Sequence, residues 1–230
     1  QEIIDHTLKT LDTNAIGRLA DAADQQSMGA VVEDVVSKFG SLDVLVNNAG
    51  IGGPTIEFEE MEGDSALLAM SDQVWDEQLK YNLRTAFSSS HAAMPKLTNG
   101  GSIINIASIA ALGPAVQLPA YGAAKAGVVH LTKTLAMELA PRRIRVNCIC
   151  PGLLWTRAWE ILTDRMKAKQ PELANMTNRQ IFESVVADMT PLGGEQTPED
   201  IGHLAVFYAS EKARMITGQV VAVDGGISVK

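Results

Sequence analysis

The chain has 230 residues, of which 46% are apolar and 20% charged; this composition excludes a disordered or low-complexity protein and is typical of one large domain. With 19 basic and 27 acidic residues its net charge is −8, which argues against binding to nucleic acid or to an anionic membrane. Its two cysteines, Cys148 and Cys150, lie two apart on a predicted strand and are poorly placed to form a disulfide. We therefore expect a reducing, cytoplasmic environment, and no spacing of ligand residues suggests a metal.

Helices and strands alternate along the chain. A helix shows as apolar residues at every third or fourth position, and a strand as a short apolar run, which is typical of a parallel sheet buried on both faces. In chain order, the predicted helices cover 1–14, 28–39 (ended by Gly40), 71–95 (capped by Ser71), 119–140 and a last one that begins at Thr197. The predicted strands cover 15–21, 42–46, 101–106, 144–150 and 219–223. This alternation predicts an α/β fold, with one domain over 1–230 and a doubly wound parallel sheet in three layers.

Small, polar or flexible segments follow three of these strands. Asn47-Asn48-Ala49-Gly50 follows the second strand, Ala107-Ser108 the third, and Pro151-Gly152 the fourth. Ligands of open parallel sheets bind beyond the carboxyl ends of the strands, where such segments let a cofactor lie close to the main chain. Any one segment alone could be a simple turn, but three of them together favour a binding site.

Tyr121 and Lys125 are the sharpest pair of candidate residues. Four residues apart on a predicted helix, they lie on one face, and a nearby ammonium moves the pKa of a phenol from about 10 toward neutrality. Ser108, at a strand end, could donate to a substrate oxygen beside the tyrosine. A solvated helix face is the alternative for the pair, and a tolerated surface residue is the alternative for Asn82, which lies within a predicted helix.

These motifs together resemble the short-chain dehydrogenase/reductase family, in its single-domain branch of NAD(P)-dependent alcohol and ketone oxidoreductases. From about Asp21 onward the matching segments occur in the family's order: Asn47-Asn48-Ala49-Gly50, Asn82, Ser108, Tyr121-Gly-Ala-Ala-Lys125, Arg145-Val-Asn147, Pro151-Gly152, Thr156, Thr217-Gly218 and Val223-Asp224-Gly225-Gly226. The resemblance implies a Rossmann-like fold, NAD or NADP as cofactor without a metal, and a small-molecule alcohol or ketone substrate. It also implies a homotetramer or homodimer built on the helices that contain Asn82 and Tyr121.

The resemblance implies a role for each matching residue. Tyr121 would be the general acid in ketone reduction and the base in alcohol oxidation, while Lys125 would lower its pKa and bond the nicotinamide ribose. Ser108 would polarise the substrate oxygen, and Asn82 would hold a water that links Lys125 to solvent. The implied cofactor-binding residues are Asp21, Ala22, Asn48, Ala49, Gly50, Tyr121, Lys125, Pro151, Gly152, Leu154 and Thr156. The expected substrate-binding residues are Ser108, Ala110, Tyr121, Trp155 and Trp159.

The chain departs from the family pattern at its start, where no Thr-Gly-x-x-x-Gly-x-Gly turn occurs. We expect the natural protein to carry that strand-helix-strand unit of roughly 40 residues, which binds the cofactor phosphates and chooses between NAD and NADP. Without it, segment 15–21 would lose its neighbour or the edge of strand 42–46 would be exposed. The alternative to an active enzyme is therefore a weak or inactive binding or scaffold protein that keeps the fold.

Two further stretches are longer than the family pattern. Residues 53–70 hold five acidic side chains and predict a solvated surface excursion. Residues 153–195 begin with apolar side chains that include Trp155 and Trp159 and continue with a second helical apolar stripe. We expect this stretch to form a lid over an apolar substrate, with packing on the body of the protein as the alternative. An epimerase or dehydratase of the extended branch is disfavoured, because the chain ends soon after Gly226.

Overall fold

The computed structural model describes residues 2–11, 14–51 and 65–229, without the side chain of Asp5. The helices are α1 (Glu2–Thr10), α2 (Gln25–Phe39), α3 (Ala66–Ala69), α4 (Asp72–Leu79), α5 (Thr85–Ala93), α6 (Pro119–Leu139), α7 (Arg157–Lys169), α8 (Asn178–Met189) and α9 (Pro198–Ala209). The strands are β1 (Leu42–Asn47), β2 (Leu97–Ile106), β3 (Arg145–Pro151) and β4 (Val220–Val223). Most of the predicted acidic excursion, 53–64, lies outside the described residues, while α3 and Met70 belong to its end.

The described strands form one parallel sheet in the order β1-β2-β3-β4, covered by helices on both faces. Ile103 and Ile104, neighbours on β2, point to opposite faces because side chains alternate along a strand. Ile103 packs in a core cluster with residues of α2, α5 and α6, whereas Ile104 packs with residues of α9. Both side chains have no exposed surface. The predicted doubly wound, three-layer α/β fold is confirmed.

Two predictions about the first part of the sheet are wrong. Residues 15–21 form no strand, because no described strand lies beside them to pair with their backbone groups. Strand β1 is not buried on both faces; it pairs with β2 alone and lies at the edge of the described sheet, which agrees with the exposed edge expected above for strand 42–46. Val46 on β1 accordingly remains 47% exposed.

A chain of buried amide and hydroxyl groups ties β1 to its neighbours. Asn47 donates from Nδ2 to the Ser90 hydroxyl at 2.9 Å and to Asn105 Oδ1 at 2.8 Å. Asn105 in turn donates to the Thr132 hydroxyl of α6 at 2.8 Å. Because buried polar groups cost free energy unless they are paired, this chain holds the end of β1 in register with β2, α5 and α6. It thereby positions the Asn48-Ala49-Gly50 segment that follows.

The Arg145-Val-Asn147 motif holds the last part of the chain against β3. The Arg145 guanidinium donates to the carbonyl of Tyr208 at the end of α9 at 2.5 Å. Asn147 donates to the carbonyl of Ile216 at 2.9 Å and accepts from the backbone N–H of Gln219 at 3.1 Å. These contacts start β4 beside β3, so this part of the family motif is structural.

Both cysteines are free and fully buried on β3. Among the helices of the described residues, none is both long enough and apolar enough to cross a membrane. In the same part of the chain, no three His, Cys, Asp or Glu side chains are grouped so that they could hold a metal ion.

Candidate active site

A cavity of about 1060 Å³ opens at the carboxyl ends of the strands. This is the edge at which open parallel sheets bind ligands. Most of the residues predicted for the site line it, although they come from distant parts of the chain: Asn48, Gly50, Asn82, Ser108, Ala110, Tyr121, Lys125, Pro151, Gly152, Leu154, Thr156 and Trp159. The sheet thus brings the three predicted loop segments and the Tyr-x-x-x-Lys helix to one place.

Four predicted residues do not line this cavity: Asp21, Ala22, Ala49 and Trp155. Asp21 lies before α2 and accepts a hydrogen bond from the backbone N–H of Ala23 at 2.9 Å. The carbonyl of Ala49 accepts from the Thr85 hydroxyl at 3.1 Å, which fastens the loop after β1 to α5. Trp155 packs on Phe182, with the ring centroids 5.2 Å apart.

Tyr121 and Lys125 lie one turn apart near the start of α6, which begins at Pro119. Lys125 Nζ lies 5.7 Å from the centroid of the Tyr121 ring and donates to the carbonyl of Ile106 at 3.1 Å. The lysine side chain is only 6% exposed. Because burial penalises a charged ammonium, the pKa of Lys125 is lowered to about 8.

Ser108 stands two residues beyond the end of β2. Its backbone is extended, and it caps the short 3₁₀ turn Ile109–Ala111, so that its Oγ accepts from the backbone N–H of Ala110 at 3.2 Å. As an acceptor in this bond, the hydroxyl keeps its proton for a group in the cavity. The strand end and the 3₁₀ turn together aim Ser108 at the same space as Tyr121.

Asn82 lies in a π-helical turn, Lys80–Arg84, that joins α4 to α5. Such turns have an extra residue and often occur at functional sites. Asn82 is 1% exposed, and its Oδ1 accepts from the backbone N–H of Ile51 at 3.2 Å. The sequence pattern predicts one continuous helix here, because nothing in residue spacing distinguishes a single π turn from an α turn.

Gly50 and Gly152 bring main chain unusually close to the site. A Cβ atom at Gly50 would lie 2.9 Å from Asn82 Oδ1 and 3.5 Å from Lys125 Nζ. A Cβ atom at Gly152 would lie 2.9 Å from the Cα of Asp224. Since real Cβ atoms do not approach other atoms so closely, only glycine allows these two loops to pack against the polar residues behind them.

The outer wall of the cavity is apolar. Its lining residues from the loop after β2 and from the start of the predicted lid are Leu112, Val116, Leu118, Leu153, Leu154, Trp159, Ile161 and Leu162. The Trp159 ring is held edge-on by the buried Phe182 of α8, with the centroids 4.9 Å apart. Helix α8 begins with a capping box formed by Thr177 and Gln180.

Arg179 contacts other residues of the predicted lid from α8, and the sequence analysis did not identify this residue. Its guanidinium lies 5.4 Å from the Trp155 ring and 5.5 Å from the Phe182 ring, and it pairs with Glu183 and Glu195. It therefore joins α8 to the segment after β3 and to the loop before α9. Nothing in the sequence around Arg179 indicates that it joins these elements, because its partners lie up to 24 residues away.

Comparisons with known proteins agree with this geometry. A family model described as enoyl-(acyl carrier protein) reductase matches residues 2–228. The chain is 35% identical to 3-oxoacyl-(acyl-carrier-protein) reductase of Thermotoga maritima over 90% of this chain and 74% of that protein. Carveol dehydrogenase from Mycobacterium avium, solved with NAD, superposes with a TM-score of 0.85 at 28% identity, over 100% of this chain and 80% of that one. L-sorbose reductase from Gluconobacter frateurii, solved with NADPH and L-sorbose, superposes with a TM-score of 0.82 at 29% identity, over 98% and 81%.

The chain belongs to the short-chain dehydrogenase/reductase family. It is an oxidoreductase of that family, as the order of its motifs predicts.

The lowered pKa of Lys125 makes a prediction about stability. Between pH 8 and 10.5 the unfolded chain binds more protons at this lysine than the folded chain, so wild-type stability rises with pH in that window. Because methionine has no such titration, we expect wild type to gain about 3 kcal/mol of stability relative to Lys125→Met between pH 8 and pH 10.5. Urea unfolding of the protein without cofactor measures both, with the exposed Lys133→Met on the same helix as control. Parallel pH curves for wild type and Lys125→Met would contradict the burial of a charged ammonium.

Proposed function

We propose that this protein transfers a hydride between a nicotinamide cofactor and the carbonyl carbon of a secondary alcohol or ketone, while Tyr121 transfers the proton. The observation that carries this proposal is that Tyr121, Lys125, Ser108 and Asn82 line one cavity at the carboxyl edge of the sheet. A hydroxyl donor, a tyrosine and a buried ammonium in one cavity are the groups that ketone reduction requires.

Tyr121 acts as general acid in ketone reduction and as general base in alcohol oxidation. Its ring faces the Lys125 ammonium, whose positive charge favours the phenolate form. The burial that lowers the pKa of Lys125 to about 8 also strengthens the effect of its charge, because little water screens it. Ser108, which lines the same cavity, donates its hydroxyl proton to the substrate oxygen and orients the carbonyl group.

Asn82 connects the lysine to the exterior of the site. Its Oδ1 and Lys125 Nζ both flank Gly50, where an added Cβ would lie 2.9 Å from the first and 3.5 Å from the second. In this position the amide holds a water that passes a proton between the lysine and solvent. The π turn that carries Asn82 gives the side chain this position, which a regular helix would rotate away.

The residues of the cavity fit the nicotinamide end of NAD or NADP, which supplies or accepts the hydride. Lys125 offers an ammonium to ribose hydroxyls. Thr156 lines the cavity with a hydroxyl that makes no cap bond to α7, and with Leu154 it would hold the carboxamide. The loops at Gly50 and Gly152 admit the cofactor close to the main chain. Contact of Asp21 and Ala22 with the adenine stays a prediction, since both residues lie outside this cavity.

Replacement of Tyr121 by phenylalanine tests the mechanism. Tyr121→Phe removes only the hydroxyl, so we expect kcat for ketone reduction to fall by about 10² to 10⁴-fold. Fluorescence titrations with NADH and NADPH should give dissociation constants within about twofold of wild type, and they also decide the preferred cofactor. Turnover that survives in Tyr121→Phe would disprove the mechanism. Cofactor binding without turnover in the wild type would instead support the inactive binding protein.

We propose that residues 153–195 form a lid and that the substrate has an apolar body. Support comes from the apolar outer wall and from Trp159, which lines the cavity while α8 holds its ring through Phe182. The two charged side chains in the described lining are Lys125 and Arg157; because Lys125 serves Tyr121 and the cofactor, Arg157 alone is left to bind an anionic group of the substrate. Arg179 fastens the lid at Trp155 and Glu195.

A panel of carbonyl compounds tests the substrate class. We expect cyclohexanone, acetophenone and an N-acetylcysteamine thioester of a 3-oxo acid to be reduced with kcat/KM at least tenfold above that of fructose 6-phosphate. Trp159→Ala should raise KM for acetophenone about tenfold with little change in kcat, because it removes apolar binding rather than catalysis. Trp75→Ala, outside the cavity, is the control. Equal activity on the sugar phosphate would overturn the proposal.

We propose that the protein is a homodimer or homotetramer built on the helical stretch from α4 to α5, which contains Asn82, and on α6, which contains Tyr121. Support comes from large apolar side chains that these helices leave exposed, with Phe87 on α5 at 45% and Met137 on α6 at 79%. Sedimentation velocity should give a dimer or tetramer, and Phe87→Glu should shift it toward monomer. A wild-type monomer at micromolar concentration would refute the proposal.

We also propose a cytoplasmic location, which two buried free thiols favour. Fractionation of the source cells, with the activity recovered outside the cytosolic fraction, would refute it.

A further inference from the structure

Gln78 is a buried amide that the mechanism above does not use. It lies on α4, one turn before Asn82, and none of its surface is exposed. Asn82 donates from Nδ2 to Gln78 Oε1 at 2.7 Å. Glutamine is rarely buried completely, so its presence behind a residue of the candidate site needs a physical reason.

The directions of the hydrogen bonds around Asn82 are fixed by the backbone. The N–H of Ile51 can only donate, so the Asn82 atom that faces it must be Oδ1. Asn82 Nδ2 then points the other way and needs an acceptor, which Gln78 Oε1 supplies. The two amides therefore form a directed chain from Gln78 through Asn82 to Ile51, and each link determines the orientation of the next.

This arrangement costs the fold free energy. With Oε1 facing Asn82, the Nε2 group of Gln78 is buried and has no hydrogen-bond partner among the described residues. A buried donor without a partner is destabilising; a leucine would remove this one, but it would leave Asn82 Nδ2 without its acceptor. Gln78 thus satisfies one buried donor and leaves another unpaired, so its gain to the helix packing is small.

We propose that Gln78 is a positioning residue for the reaction: it locks the amide of Asn82 so that Oδ1 faces Ile51 and Gly50, beside Lys125. Without this acceptor, the Asn82 side chain can rotate about its terminal bond and turn Nδ2 toward the ammonium. The segment from Gly50 to Ile51 then loses its hydrogen bond to Asn82 and loosens next to Lys125, although Ala49 stays bonded to Thr85. The role in catalysis rests on the proposed function, whereas the locking of Asn82 does not.

The first test measures the lock itself, without cofactor or substrate. Hydrogen exchange at the Ile51 amide is followed by NMR on protein labelled at isoleucine. We expect Gln78→Leu to raise the exchange rate at least tenfold. Gln78→Glu keeps an acceptor oxygen and should exchange like wild type, as should Gln73→Leu on the exposed face of the same helix. Unchanged protection of Ile51 in Gln78→Leu would overturn the proposal, and so would loss of protection in Gln78→Glu if that variant unfolds at the wild-type temperature, because a buried carboxylate can also destabilise the fold.

The second test separates positioning from folding. Thermal unfolding of Gln78→Leu should occur within a few degrees of wild type, since the unpaired Nε2 of Gln78 is exchanged for an unpaired Nδ2 of Asn82. With the fastest ketone of the panel above, kcat should fall about tenfold while KM stays within about twofold. If Gln78→Leu does not fold, Gln78→Met, which keeps the chain length but accepts hydrogen bonds poorly, replaces it in both tests.

A double-mutant cycle tests whether the effect of Gln78 passes through Asn82. In the Asn82→Ala background, Gln78→Leu should change neither kcat nor Ile51 exchange further, because its effect passes through Asn82. Additive losses would show that Gln78 acts by another route and overturn the proposal. If Tyr121→Phe keeps full turnover while Gln78→Leu still frees Ile51, the proposed mechanism fails and the lock on Asn82 stands.

Discussion

The hydrogen bond between Lys125 and the carbonyl of Ile106 is the contact on which the rest of the site depends. It joins α6 to the end of β2, so that Tyr121, one turn away, and Ser108, two residues on, face one cavity. The same bond keeps an ammonium in a place with little water, and burial lowers its pKa to about 8. With this pKa, small changes around the ammonium alter the fraction of Lys125 that is charged. The main chain at Gly50 is one neighbour that can do so, because it packs against Lys125 Nζ.

Much of the fold could be predicted because its signals are local. Short-range chemistry predicts three helix ends that the structure confirms. These are the end of α2 at Gly40, the cap at Ser71 and the start of α9 at Thr197. The predictions that failed depend on which strands pair with each other, not on the strand propensity of the segment itself. Residues 15–21 have the composition of a strand, but a strand exists only when another strand pairs with it. Likewise, the exposure of β1 depends on its neighbours and not on its own apolar run.

In the candidate site, too, some residues could be predicted from the sequence and others could not. The four residues of the Tyr-x-x-x-Lys constellation are recognisable from order and type, and the sheet topology explains why they meet. What the sequence conceals are the supports: the amide chain through Asn47 and Asn105, the arginine between Trp155 and Phe182, and the glutamine behind Asn82. These supports are ordinary polar residues whose meaning depends on what lies opposite them across the fold, and spacing along one chain does not encode that.

The π turn at Lys80–Arg84 changes the phase of everything that follows it in the helix. Each residue of an α-helix advances the chain by about 100°, so one additional residue rotates α5 relative to α4 by that amount. The buried face therefore passes through Gln78, Asn82 and Ala86, while Phe87 turns outward. A deletion of one residue in this turn would leave the composition and helix content almost unaltered. It would nevertheless rotate α5 by about 100° relative to α4, so that Phe87 would take the buried place of Ala86 and Ala86 would leave it.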